Sequence, residues 1–179
     1  MIRDLQEKAI RLGATSAKVI AVSSIVIDDR VRLKCLVPLC DHYNQNRMCP
    51  PHLPPMEVIR KCLKRYSKAL FVQTVLKKEG RVSQAEARSS GLRLHQIINA
   101  LESEAFSSGF PLAAGLIGGS CKLCRRCAGP SRPCRHPMKA RPSMEGMGID
   151  VFHTARKIGL PFRFPARQGL VWNGLLLIK

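Results

Sequence analysis

Ala69-Leu70-Phe71-Val72-Gln73-Thr74-Val75-Leu76 is the stretch on which the fold turns. It is rich enough in β-branched residues to read as a strand. A long helical pattern follows from Ala85 to Phe106, with Leu94, Ile98, Leu101 and Ala105 on one face. Leu112 to Ile117 is apolar and flanked by Gly and Pro, a buried-strand candidate. Upstream, Lys18 to Val22 reads as a strand behind a helix marked by Ile2, Leu5, Ala9 and Leu12 and stopped at Gly13. Asp28 or Asp29 can cap a short helix carrying Val31, Leu33 and Cys35. Pro50, Pro51, Pro54 and Pro55 forbid regular structure before a helix that begins near Met56. Downstream, a helix from about Asp150 to Ile158 ends at Gly159 and Pro161, and Leu170 to Ile178 is the last strand.

Strands alternating with helices predict an α/β or α+β fold. The expected architecture is a single layered domain over residues 1–179: a mixed central sheet with helices packed on it. Two irregular cysteine loops lie near residues 35–51 and 118–144.

The chain has 179 residues, 45% of them apolar, which suits one domain with a real core. Aromatic residues are 5%, thin for a surface that stacks single-stranded nucleic acid. The start, Met1-Ile2-Arg3-Asp4, has no apolar run before a small-residue cleavage site. The longest uncharged stretch, Ala105 to Cys121, is shorter than the roughly 20 residues of a membrane span. The expected location is the cytoplasm, with the cysteines as reduced thiols or metal ligands.

Seven of the eight cysteines fall into two groups. Cys121, Cys124 and Cys127 stand at two successive three-residue steps, and Cys134 follows after six intervening residues. The steps match those of a ferredoxin run, although Pro133 precedes the fourth cysteine instead of following it. Four thiolates from one loop can cap the irons of a cuboidal iron–sulfur cluster. Zinc, the alternative, more often takes two separated CxxC knuckles.

Cys35, Cys40 and Cys49 form the first group, at spacings that match no common zinc knuckle. Three thiolates would leave one iron open to water, substrate or another side chain, with Asp41, His42 and His52 as local candidates. Ligands can also cross between groups, so one or two clusters and several partitions stay open. Cys62 sits on a predicted helix with Val58, Ile59 and Leu63 and reads as a small buried apolar residue. Glu145 is the acid nearest the second cysteine loop in sequence. An ion pair with Arg141 is expected, and Ser143 can cap a turn there. Gly118-Gly119-Ser120 would let backbone amides approach cluster sulfurs.

Several segments together resemble a small cysteine-rich family of predicted metal-binding proteins common in anaerobes. They are Asp29 to Cys35, Cys40 with Tyr43, Cys49-Pro50-Pro51, Cys121 to Cys127, Cys134-Arg135-His136-Pro137, and Ala140 to Glu145 running on through Met147 to Val151. The resemblance spans nearly the whole chain. It implies metal binding, of iron–sulfur type, by Cys35, Cys40, Cys49, Cys121, Cys124, Cys127 and Cys134; it implies no reaction. Asn44 stands where the family pattern has glycine and Gly146 where it has alanine, and Cys62 is outside the pattern.

Lys plus Arg is 30 against 12 acids, a formal charge of +18. Residues 121–179 hold 12 bases and 2 acids, +10, while residues 1–120 hold 18 and 10, +8. Four thiolates on a 2+ cluster carry a net −2, which nearby cations stabilise. Lys122, Arg125, Arg126, Arg132, Arg135 and Lys139 exceed that need, so a surplus field is expected to face outward. It suits an acidic redox partner protein and, more weakly, RNA. The expected function is that of an iron–sulfur redox protein, an electron carrier or small component of an oxidoreductase system, with 4Fe–4S clusters as cofactors. The alternatives are an enzyme using the open iron of a three-cysteine cluster for Lewis-acid or sulfur-transfer chemistry, with RNA as one substrate class, and a structural zinc-binding module.

Overall fold

The computed structural model describes residues 1–160, 162 and 169–179. Strands β1 (Ser16–Ala21), β2 (Lys68–Leu76), β3 (Ala114–Ile117) and β4 (Leu170–Leu177) form one sheet in the order β1-β2-β4-β3. Every strand pairing is antiparallel. The fold is therefore α+β, and the sheet expected to be mixed is antiparallel. Among the described residues the one parallel contact is the isolated Ile117–Ser143 bridge.

The sheet is covered on both faces. Helices α1 (Ile2–Arg11) and α4 (Gln84–Ser107) pack Leu5, Ala9, Leu94, Ile98 and Leu101 against Leu70, Val72, Ile117 and Leu176. Helix α2 (Asp29–Leu33) is short; α3 (Met56–Leu63) and α5 (Val151–Lys157) cover the other face, where Ile59, Leu63, Val151 and Ala155 meet Phe71, Leu116 and Leu175. Successive strand side chains point to opposite faces, so a strand buried on both must be apolar almost throughout, as Ala69 to Val72 is.

Local signals set the boundaries. Ser83 Oγ accepts from the Glu86 amide and the Glu86 carboxylate accepts from the Ser83 amide, a capping box that starts α4. Asp28 and Asp150 cap α2 and α5 by accepting from the Arg30 and His153 amides. Gly159, at φ +74, stops α5; Pro161 lies outside the described residues. Two expectations shift. β3 begins at Ala114, and Leu112 is 77% exposed, its carbonyl accepting from the Tyr66 hydroxyl. Cys35 lies beyond the end of α2.

The first cysteine group lies in the β1–β2 connection and the second in the β3–β4 connection. By strand register, β1 ends opposite Lys68, one residue beyond the row of Ala69, Leu177 and Ala114, whereas β3 ends in the row of Gly174 and Val72. The two connections thus leave the sheet at opposite ends, and backbone ties bring them together. The Asp28 amide donates to Gly148 O and the Asp150 amide to Val26 O, both at 2.9 Å.

His95 on α4 is fully buried; its Nε2–H donates to Lys139 O at 2.9 Å, and Nδ1 has no hydrogen-bond partner among the described residues. A carbonyl partner fixes the neutral tautomer, and burial lowers the pKa to about 4. Below the ordinary histidine value the unfolded chain takes a proton that the folded chain refuses. Stability therefore falls as the pH drops from about 6.5 toward 4, by about 3 kcal/mol in all. Urea titrations of wild type and His95→Gln across that range should show the slope in wild type and a flatter line in the variant.

Candidate metal centre

The first cysteine loop is shaped by tight backbone turns. The Cys40 amide donates to Cys35 O at 3.1 Å and the Tyr43 amide to Cys40 O at 2.9 Å. Asn44 then adopts φ +57, a left-handed conformation open to Gly and, less readily, to Asn. Its amide donates to Pro50 O, and its Oδ1 lies 2.9 Å from His52 Nε2. This closed loop buries Cys49 and leaves Cys35 and Cys40 half-buried.

Burial pushes the Cys49 thiol up to about 12, helped by the negative charges of Cys35, Cys40, Glu145 and Cys121. Cys35 is raised by its own burial and then by Cys40 and Glu145. Glu145 is thus among the charges that raise both Cys35 and Cys49.

In the second loop, Cys121, Cys124, Cys127 and Cys134 all line one narrow cleft, whose cavity volume is about 20 Å³. Asn46 and Met48 of the first loop and His136 share its wall. Burial raises the Cys121 thiol; Cys134, Cys127 and Cys124 raise it further against a lowering backbone hydrogen bond at Leu123. The alternation of the sequence sorts the side chains. Arg125, Arg126, Arg132, Arg135 and Lys139 are exposed, while Lys122 is buried. Its Nζ donates to Ser120 O at 2.8 Å and stands 4.1 Å over the Trp172 ring, and burial lowers its pKa to about 8. Gly91 makes room, since a Cβ there would meet the Lys122 side chain at 2.6 Å.

The two loops are bound to each other. Arg47 donates to the carbonyls of Gly129, Pro130 and Arg132 at 3.3, 2.6 and 2.9 Å. Asn46 Nδ2 donates to Cys121 O at 3.4 Å, and the Ser143 amide to Met48 O at 3.0 Å.

Three expectations need correction. Cys62 is exposed, because the buried face of α3 is Ile59 and Leu63. Arg141 pairs with Glu102 at 2.6 Å instead of Glu145. Glu145 Oε2 accepts from the Gly119 amide at 2.9 Å and from Ser143 Oγ at 2.8 Å. The glycine amides are thereby spent inside the protein, Gly118 donating to Asn173 O at 2.7 Å. The turn at Ser143 does form, its Oγ accepting from the Gly146 amide. Asp41, His42 and His52 are exposed. Sequence reasoning missed Arg47 and Asn46 as ties between the loops; a polar pair beside buried Cys49 was the available signal.

The donor set fits a thiophilic metal group. All eight cysteines are free thiols, and four of them face one cleft. Among the described residues no three Cys, His, Asp or Glu side chains are gathered closely enough to hold a single metal ion. No helix among them is long and apolar enough to cross a membrane.

Neither a curated protein nor a solved structure matches the chain. A family model does, over residues 18–178, a span that takes in both cysteine loops, all four strands in whole or nearly so, and the Ser143 turn. The chain therefore belongs to the family described as predicted metal-binding protein, DUF2284.

Proposed function

We propose that this metal-binding protein is an iron–sulfur redox protein, an electron carrier or a small component of an oxidoreductase system. Cys121, Cys124, Cys127 and Cys134 would hold one 4Fe–4S cluster, and Cys35, Cys40 and Cys49 a second. The observation that carries the reading is the cleft onto which all four second-loop thiols open. Four thiolates on one zinc lie about 3.8 Å apart, given Zn–S bonds of about 2.3 Å. A cubane carries each thiolate on a separate iron and needs a wider cage than one zinc. When bound, the cluster supplies the electron chemistry; the chain holds it and sets the field around it.

Five exposed bases around that loop favour an acidic protein as the redox partner. An RNA partner has less support, because the described residues of the loop offer it no aromatic platform. The three-thiol first loop supports a second reading, an enzyme whose open iron acts as a Lewis acid or sulfur acceptor.

Protein purified without oxygen should be brown, contain iron with acid-labile sulfide, and show a reversible low-potential couple. About one zinc per site with no sulfide would replace the cluster reading by a structural zinc module. Cys124→Ser and Cys40→Ser should each lose about four irons per chain and Cys62→Ser none, if two separate cubanes are present. Thiols must lose their protons to ligate, and those of Cys35, Cys49 and Cys121 are held above their ordinary value. Metal uptake therefore releases protons, and apparent affinity should fall about tenfold per pH unit of acidification for each proton released, measured by chelator competition.

A further inference from the structure

Glu145 is an acid without a basic partner in a chain that has 30 bases for 12 acids. It takes part in none of the ion pairs among the described residues. The base that shares its field, Lys122, gives its Nζ to the Ser120 and Gly118 carbonyls and to the Trp172 ring. Arg141, its neighbour in sequence, is committed to Glu102. A half-buried carboxylate in so basic a protein that makes no ion pair has capacity for another cation.

Its position says which. The Ser143–Gly146 turn lies directly on the first cysteine loop. The Ser143 amide binds Met48 O, and a Cβ on Gly146 would stand 3.0 Å from Pro50 Cδ and 2.7 Å from Leu53 Cδ1. Oε2 is fixed by two neutral donors, the Gly119 amide and the Ser143 hydroxyl. Oε1 accepts no hydrogen bond among the described residues. Met48 and Pro50, on which the turn rests, flank Cys49 in the chain, and Glu145 is among the charges that raise Cys35 and Cys49. The rival donors of that loop are placed less well: Asp41 and His42 are exposed, and His52 Nε2 is turned to Asn44 Oδ1.

We infer that Glu145, through Oε1, supplies the fourth donor to the metal group held by Cys35, Cys40 and Cys49. The inference rests on the proposed reading of those cysteines as ligands. A carboxylate oxygen is a harder donor than thiolate, so the iron it caps differs from its three neighbours and is the one most open to an incoming ligand. The partner loop contributes this donor, and the first site is complete only when the two loops are docked.

The test uses the full chain, reconstituted without oxygen from ferrous iron and sulfide, as wild type, Glu145→Gln, Glu145→Cys and Cys49→Ser. Glutamine keeps an acceptor for Gly119 and Ser143 but removes the anionic donor; cysteine replaces it by a thiolate. Wild type should carry about eight irons per chain, Cys49→Ser about four, Glu145→Cys about eight and Glu145→Gln about seven after mild oxidation. The Mössbauer spectrum of wild type should contain one iron distinct from the rest, and that signal should vanish in Glu145→Cys. A Glu145→Gln protein with wild-type iron content and spectrum would overturn the inference and leave Glu145 as a hydrogen-bond acceptor for the turn. If Glu145→Gln fails to fold by circular dichroism, Glu145→Cys decides alone, an unchanged spectrum overturning the inference and a lost distinct iron supporting it. Full iron in Cys49→Ser, or no iron in wild type, would instead remove the first loop as a metal site, and the inference with it.

Discussion

Residues 142–150 are fastened on two sides, and the candidate centre depends on that fastening. Against β3, the Ile117 amide donates to Pro142 O at 3.0 Å and the Met144 amide to Ile117 O at 2.8 Å. Against the first cysteine loop and its entry, Ser143 donates to Met48 O, and Gly148 and Asp150 exchange hydrogen bonds with Asp28 and Val26. Met144, fully buried in the core of the α3–α5 face, anchors the segment by its side chain. A buried amide deprived of its partner costs about 1–3 kcal/mol. Several such groups in one short segment make separation of the loops a concerted event. The sheet alone could not do this, because its strands release the two loops at opposite ends.

The same docking sorts charge by depth. Outward-facing Arg125 and Arg126 alternate with inward-facing Cys124 and Cys127, so one short run of sequence makes a cationic surface and a thiol-lined cleft. Only Lys122 carries its charge inward, and its stem and cation lie along Trp172 and two carbonyls, partners that tolerate a desolvated ammonium. The cleft is thus electropositive from behind as well as at its rim. Buried thiols do not ionise alone, as Cys49 shows at about 12. Cations arranged in this way favour thiolate once a metal has displaced the proton.

Most of the elements were legible in the sequence because they rest on local rules. The capping box at Ser83, the Asp150 cap and the apolar run at Ala69 act within a few residues. What misled was neighbourhood in sequence. Glu145 and Arg141 are close along the chain, yet the turn sends Arg141 toward Glu102 on α4 and Glu145 toward Gly119. Cys62 lies beside Leu63, but the helical period puts Leu63 in the core and Cys62 in solvent. Leu112 continues an apolar run but precedes the first residue paired with β4. The meeting of the two cysteine groups was invisible for a deeper reason. It is set by Arg47, Asn46 and Ser143 acting on backbone groups some 75 to 100 positions away, and a carbonyl acceptor has no signature in sequence.

The second loop has almost no core of its own. Between Gly119 and Lys139 the only buried side chain is that of Lys122. Ordering a residue costs roughly 1–2 kcal/mol of backbone entropy, and ordinary loops of this length recover it by packing apolar side chains or by lying on a core. Here the visible compensation is the Arg47 clamp, the Arg88 donation to Lys122 O and the Trp172 contact. Each acts at one point of the loop, and to residues 123–128 the structure adds little more than the Arg135 donation to Arg126 O at 2.9 Å and the Leu123 amide at Cys121. A loop that keeps three cysteines in that stretch and its flanks, spends no apolar residue on a core and turns its bases outward is shaped for a bond stronger than packing. Metal–thiolate ligation, as proposed for Cys121, Cys124, Cys127 and Cys134, would supply a bond on that scale.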